Sequence, residues 1–441
     1  MFKNFALFLI LTTILFSCSK NDSKTVVPDT VEEQVVLLEF NSSFTPNANV
    51  DLLPSVIFQW SLKNEVASDN IIYELKFGPT QSDLKVLQSN LEEPSFKIES
   101  LLDPETTYYW QVSFVNRDGT KTESVVQNFT TSKFQFTDAV LEQIVRDVLE
   151  KPNGDFTMEE LATLTKIPVD AESDYQAHTP YGGIEDLTGI EYCKNIERVN
   201  LFQNGFRSPI SDLTPLKNLT SITYLNVANN KVYDLSSLEN LSELEYLHLG
   251  WNIGVKDITP LANMSKLKGL NLTYTHSLRD ISTLRNLTQL DSLSYNHANY
   301  IADISPIGDL VNLKLLRFTG SEIITDFDFL KNLTQLERLY LDRNIHINDL
   351  SFIAHMPNIK NLGLSNTGIS DISMLSEFTA MEFLGLRGLA ISDFSVLENM
   401  PDLKELHFDD FAIDESILST QEIRQMFPGV KMIINNTIIY N

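Results

Sequence analysis

The chain has 441 residues, a formal net charge of −26 and only two cysteines. Such an acidic surface repels nucleic acid and anionic lipid headgroups and favours solubility, although it identifies no partner. With 43% apolar residues the chain can bury a core large enough for two or three domains.

Residues 1–17 read as a signal peptide. Lys3 supplies one positive charge, and the apolar run from Phe5 to Phe16 is shorter than the roughly 20 residues that span a bilayer. The run ends in Leu15-Phe16-Ser17-Cys18, which resembles the lipobox of bacterial lipoproteins. The resemblance implies that Cys18 is acylated and becomes the first mature residue. Acyl chains contribute about 0.8 kcal/mol per buried methylene, so several anchor a protein firmly. With Cys18 carrying lipid, Cys193 has no partner within the chain, and stability must come from packing. Residues 18–34 then read as a lipidated tether, polar and without periodicity. About 16 flexible residues span roughly 20–24 Å.

Residues 35–132 change to short alternating runs: 36–40, 56–62, 72–77, 95–98, 107–115 and 124–130 all read as strands. That many strands in so short a segment predict a β-sandwich. Leu102-Asp103-Pro104-Glu105-Thr106-Thr107-Tyr108-Tyr109-Trp110, Phe58-Gln59-Trp60 and Asn128-Phe129-Thr130-Thr131 together resemble a fibronectin type III domain. The resemblance makes Tyr108 its corner tyrosine and Trp60 its core tryptophan, and implies a spacer. Residues 133–185 predict a helical N-terminal cap. Val140, Leu141, Ile144, Val145, Val148 and Leu149 share one helical face, and Thr157-x-x-Glu160 is a capping box.

From 186 to 413 one unit repeats. An Asp before an apolar residue recurs at Asp186, Asp212, Asp234, Asp257, Asp280, Asp303, Asp326, Asp349, Asp371 and Asp393, with intervals of 26, then 22 or 23. Leu244-x-x-Leu247-x-Leu249-x-x-Asn252 and Leu336-x-x-Leu339-x-Leu341-x-x-Asn344 hold the same phase. The period is that of leucine-rich repeats, which predicts an α/β solenoid with a parallel, concave sheet. The consensus resembles the internalin-type bacterial repeats, a resemblance that implies adhesion or protein binding. The Asn column (Asn204, Asn230, Asn252, Asn344) is expected to satisfy backbone groups where the chain leaves the sheet. The hydroxyls of Thr214, Thr259 and Ser305 are expected to cap short 3₁₀ turns. The Asn position drifts to Thr275, Ala298, Ser321, Thr367, Leu389 and Phe411, which predicts less regular later turns. Cys193 falls in a leucine column and reads as a buried small hydrophobe. Residues 414–441 read as a C-terminal cap, with a helix at 420–426 and a closing strand at 430–434.

Side chains between the leucines face the open side of the sheet. The candidate ligand-binding residues there are Phe202, Tyr224, Tyr246, His248, Trp251, Tyr274, His297, Arg317 and Tyr340. Trp251, Tyr274 and His297 hold the same slot in three successive repeats and should form an aromatic column. Aromatic and arginine anchors make interface hot spots, and flat rings flanked by Asn and His also suit sugars. The bland alternative is that the tyrosines only stabilise cross-strand pairs. No HExxH, phosphate loop, GxSxG or EF-hand pattern is present, so neither an enzyme, a cofactor nor a metal is expected. The reading is a lipid-anchored cell-envelope protein, in the outer membrane or at the cell surface, that binds a protein partner. A glycan ligand is the alternative.

Overall fold

The computed structural model describes residues 56–62, 71–98, 102–115, 119–131, 133–167, 183–202, 210–297, 300–391, 393–409, 429–434 and 437–440, with 421 and 425. Cys18, the tether, the strand at 36–40, Asn204, and most of the helix expected at 420–426 lie outside them. The chain divides into two compact units, one formed by Gln59–Ser95 and Tyr109–Gln127, the other chiefly by Asn128–Asn441 with Thr45–Phe58 and Phe96–Tyr108.

Among the described residues, seven strands precede residue 131: β1 Val56–Gln59, β2 Tyr73–Gly78, β3 Lys85–Leu91, β4 Ser95–Ile98, β5 Thr107–Val115, β6 Lys121–Glu123 and β7 Gln127–Thr130. They form a sheet ordered β3-β2-β5-β6, with β7 also on β5, and a pair β1-β4. In β5 the alternate residues Tyr108, Trp110, Val112 and Phe114 are buried. In the first unit Tyr73 meets both Trp60 and Phe114 edge-on, at 5.4 and 6.0 Å. In the second, the Tyr108 hydroxyl accepts the Asp103 amide at 3.0 Å, and the Tyr108 ring lies 6.0 Å from Phe129. Strands β3 and β6 are absent from the sequence reading. The side chains of β3 are exposed almost throughout, so its sequence carries no alternation to read.

Within the larger unit two helices precede the repeats, α1 Ala139–Val148 and α2 Met158–Leu161. Asp138 caps α1: one carboxylate oxygen accepts the amides of Val140 and Leu141 at 2.8 and 3.0 Å. Its other oxygen accepts the Glu185 amide at 2.7 Å, so a single buried carboxylate ties the helix to the start of the first repeat. Thr157 and Glu160 form a reciprocal capping box on α2. Leu141, Ile144, Val145, Leu161 and Leu164 join the same apolar core as the repeat leucines.

The repeats then stack as short strands: β8 Lys166–Ile167, β9 Arg198–Asn200, β10 Tyr224–Asn226, β11 Tyr246–His248, β12 Gly269–Asn271, β13 Ser292–Ser294 and β14 Leu315–Arg317. They continue as β15 Arg338–Tyr340, β16 Asn361–Gly363, β17 Phe383–Gly385, β18 Glu405–Phe408, β19 Lys431–Ile434 and β20 Thr437–Tyr440. All thirteen make one sheet in chain order. Each pairs with the next in parallel except β19 with β20, an antiparallel hairpin. The central leucine of each strand, such as Leu225, Leu247 and Leu270, aligns with its counterparts across the sheet and is buried.

Two side-chain ladders hold the coils together. Asn252 Nδ2 donates to Val227 O at 2.8 Å and Leu249 O at 2.9 Å, while its Oδ1 accepts the Val232 amide at 3.0 Å. Asn230 and Asn344 repeat this arrangement. Where Asn is lost, Thr275 and Thr367 hydroxyls still donate to the carbonyl three residues back, each at 2.8 Å. At these two positions the turn keeps that hydrogen bond, so the loss of Asn does not by itself make it irregular; Ala298 and Phe411 lie outside the described residues. The second ladder corrects the sequence reading. The Ser and Thr hydroxyls do not cap the 3₁₀ turns. Instead the repeat Asp accepts the amide two residues on, at 2.8 Å in Asp212, Asp257 and Asp371 alike. Bonds from the following serine's amide and hydroxyl hold Asp280 and Asp371 below the usual carboxylate range.

Candidate interaction face

Three-residue strands leave two outward columns on the sheet. The first runs Arg198, Tyr224, Tyr246, Gly269, in register. The Arg198 guanidinium lies 4.0 Å over the Tyr224 ring. The Tyr246 ring fills the space above Gly269, where a Cβ would come within 2.6 Å of it. Tyr246 is 43% exposed and so available to a ligand.

The second column is more closed than alternation suggests. Asn226 and His248, paired in register, are buried, as is Asn200. Asn200, Asn226 and Asn271 each accept an amide two residues on through Oδ1, at 3.2, 3.0 and 2.9 Å. The donor at Asn200 is the Phe202 amide. These asparagines hold the backbone as it leaves the sheet. His248, proposed as a contact residue, is 8% exposed and offers little surface. Strand alternation places it outward, but it sits on an inner column flanked by neighbouring strands.

Further along, Arg317 lies 4.0 Å over Tyr340. Tyr340 approaches Phe383 at 5.8 Å, and Phe383 meets His407 edge-on at 4.9 Å. His407 Nε2 and Lys431 Nζ share Glu405 Oε1, at 2.6 and 2.9 Å. Phe383 and His407 thus extend the cluster that contains Arg317 and Tyr340.

Trp251, Tyr274 and His297 do not stand on the strands. Each follows its strand by three residues and has a left-handed backbone, φ +61° in all three. The same position in other repeats holds Asn229, Gly320, Arg343, Asn366 and Gly388, all at positive φ. The amide of each is tied to the next repeat: Trp251 to Thr273 O at 2.8 Å, His297 to Thr319 O at 2.7 Å. Glycine and asparagine adopt this conformation readily, whereas other residues pay roughly 1–2 kcal/mol. Stacking offsets part of that cost. Trp251 and Tyr274 lie 5.2 Å apart with ring planes 20° from parallel, Tyr274 and His297 4.2 Å apart at 26°.

His276 and Tyr300 extend the ring cluster, His276 at 5.5 Å from Tyr274 and at 6.0 Å from Tyr300. Arg279 lies 4.4 Å over Tyr300. Tyr233, Ile253, Ile323 and Ile345, in this repeat and its neighbours along the chain, are also exposed. The sequence reading missed this edge, because the residues fall after the strand, where the leucine period says nothing about orientation. Among the described residues no group of three His, Cys, Asp or Glu side chains could hold a metal. Burial pushes the Cys193 thiol up to about 12, which keeps it protonated and unreactive.

Parallel strands of a 22- or 23-residue period, a leucine core and an asparagine ladder define a leucine-rich-repeat solenoid, with two ring clusters on its sheet side. No protein-family profile matches the chain, and no curated protein does. Among solved structures, an internalin C2 from Listeria monocytogenes aligns at 27% identity over 57% of this chain and 94% of that one, with a TM-score of 0.41. A leucine-rich-repeat protein of Leptospira interrogans aligns at 19% identity over 55% of this chain and 68% of that one, with a TM-score of 0.42.

Proposed function

We propose that this chain is a lipid-anchored envelope protein that binds a protein partner through the sheet side of its repeats, and that it catalyses nothing. One observation carries the binding role. Three large rings occupy a backbone position that Asn or Gly fills in neighbouring repeats at no strain, and backbone strain concentrates at functional sites. The exposed ring of Trp251, with Tyr246 nearby in sequence and the Arg317–Tyr340 pair further along, supplies residue types that dominate protein interfaces.

The rest of the arrangement follows from this role. Cys18 holds the chain to a membrane, the outer membrane or the cell surface, and residues 18–34 are the tether. Residues 35–132 form a fibronectin type III-like spacer, a reading supported by the antiparallel sheet and the Tyr108–Asp103 bond. Residues 133–185 close the N-terminal end of the repeats, and 414–441 the other. Replacing Cys18 by Ser should abolish incorporation of labelled palmitate and release the chain from membranes.

Binding is tested by cross-linking the intact chain to surface-labelled cells. The double variant Trp251→Ala, Tyr274→Ala should lose the specific cross-linked species at least tenfold while keeping its fold. An unchanged cross-linking pattern would overturn the assignment of this face. A glycan is the second reading, favoured by the partly exposed indole of Trp251, and binding on a glycan array that the double variant loses would select it.

A further inference from the structure

The sheet face carries the opposite charge to the chain as a whole. Its two outward columns, from β8 to β19, hold five cations, Lys166, Arg198, Arg317, Arg338 and Lys431, and a single carboxylate, Glu405. Glu405 is already shared by Lys431 and His407. The whole chain has a net charge of −26, so this face is a basic strip on an acidic protein. Physiological salt screens charges more than about 8 Å away. A ligand on the sheet therefore meets the local cations and not the distant acids.

Arg317 and Arg338 stand beside a floor of rings. Arg317 is the register partner of Tyr340, and Arg338 lies two residues before Tyr340 on the same strand, hence on the same face. The Arg317 guanidinium lies 4.0 Å over the Tyr340 ring, and Arg338 is exposed. On the next strand a Cβ at Gly363 would come within 2.9 Å of Tyr340 Cδ1, so the ring lies down across β16. Neither arginine enters an ion pair among the described residues. The two acids that flank β15 are engaged elsewhere: Glu337 with Lys360 at 3.5 Å, and Asp342 as acceptor of the Ser365 amide at 2.9 Å.

We infer that this part of the sheet face binds an acidic segment of the protein partner, its carboxylates received by Arg317 and Arg338; this rests on the binding role proposed for the same face. A guanidinium stacked on a ring keeps its planar fork of N–H donors. Arg317 can therefore hold a carboxylate through two hydrogen bonds without leaving Tyr340. Arg338, exposed and unpaired, receives a second one. Arginines beside Tyr340 and Phe383, whose rings lie 5.8 Å apart, have the make-up of a protein interface hot spot. The cations are also spread out: Arg198 and Arg317 are five strands apart, roughly 24 Å. That spacing suits carboxylates distributed over a protein surface better than the dense charge of a sulfated sugar.

The test is a fluorescence-anisotropy titration of the full chain in detergent, at about 0.15 M salt. The probe is a fluorescein-labelled decaglutamate peptide. It should bind saturably, and a Gly-Ser peptide of the same length should not. The double variant Arg317→Gln, Arg338→Gln should weaken it roughly tenfold or more. Arg285→Gln, on the 3₁₀ turn Ser282–Asn286 and paired with Asp309, should change nothing. Absence of saturable binding, undiminished binding by the double variant, or an equal loss in Arg285→Gln overturns the proposal. Binding of a heparin fragment and none of decaglutamate overturns it in favour of a sulfated sugar. Should the double variant fail to fold, Arg338→Gln alone, at an exposed side chain, decides by a several-fold loss. If decaglutamate fails while the Trp251, Tyr274 double variant still loses its cross-linked species, the acidic partner is refuted and the face assignment stands.

Discussion

Tyr274 can separate the strain in the aromatic column from the contacts the column makes. Replacing it with Ala removes both ring stacks, at 5.2 and 4.2 Å, each worth about 0.5–1.5 kcal/mol beyond buried area. With the lost area, the cost should reach about 2–4 kcal/mol. Alanine keeps the penalty of φ +61°, because it retains a Cβ. Asparagine removes the same ring but relieves the backbone, and it already fills this rung at Asn229 and Asn366. Tyr274→Asn should therefore be about 1 kcal/mol more stable than Tyr274→Ala, while both variants lose partner binding alike. Urea unfolding followed by tryptophan fluorescence gives the two midpoints. A repeat array need not unfold in one step, so only the difference in midpoint is compared. If Tyr274→Ala proves as stable as Tyr274→Asn, the left-handed backbone carries no penalty, and the strain argument for a functional column collapses.

The asparagine ladder and a buried acid offer two independent tests. Asn252→Ala orphans the Val232 amide and leaves two carbonyls with fewer partners, which should cost about 3 kcal/mol and speed amide exchange at Val232. Asn252→Thr should lose roughly half as much, because a hydroxyl there can copy the Thr275 bond to the carbonyl three residues back. Glu191 is buried and accepts the Gly189 amide at 2.7 Å. Burial pushes its carboxyl up from 4.5 to about 7. The fold thus binds a proton that the unfolded chain has lost. Glu191's contribution is complete below pH 4.5, falls by about 3 kcal/mol as pH rises to 7, and is constant above. Glu191→Gln should flatten that slope and be the more stable form at pH 8. Parallel unfolding profiles for the two proteins from pH 4 to 8 would contradict this.

The repeat was legible because its cause is local and periodic. A leucine every two or three residues, an Asn to bind the turn and an Asp to start the next coil are each required at every step, so their phase shows in the letters. Trp251, Tyr274 and His297 could be aligned for the same reason. What the letters could not show was the backbone beneath them. The left-handed turn is imposed by hydrogen bonds to the next coil, such as Trp251 to Thr273 O, and it presents these rings at a rung that also holds Gly320 and Arg343. Strand alternation likewise put His248 outward, whereas its neighbours in the sheet close around it. The exposed edge at Tyr233, Ile253 and Tyr300 has no periodic signature, since nothing in the core constrains it.

Composition and period by themselves determined that the chain has a strand-rich segment and a stack of coils, because leucine recurring at a fixed interval must be buried in the same way at each step. Only the tertiary structure decided which side chains reach the surface together. That depends on contacts between residues 23 positions apart, and on the conformation each coil imposes on the one before it.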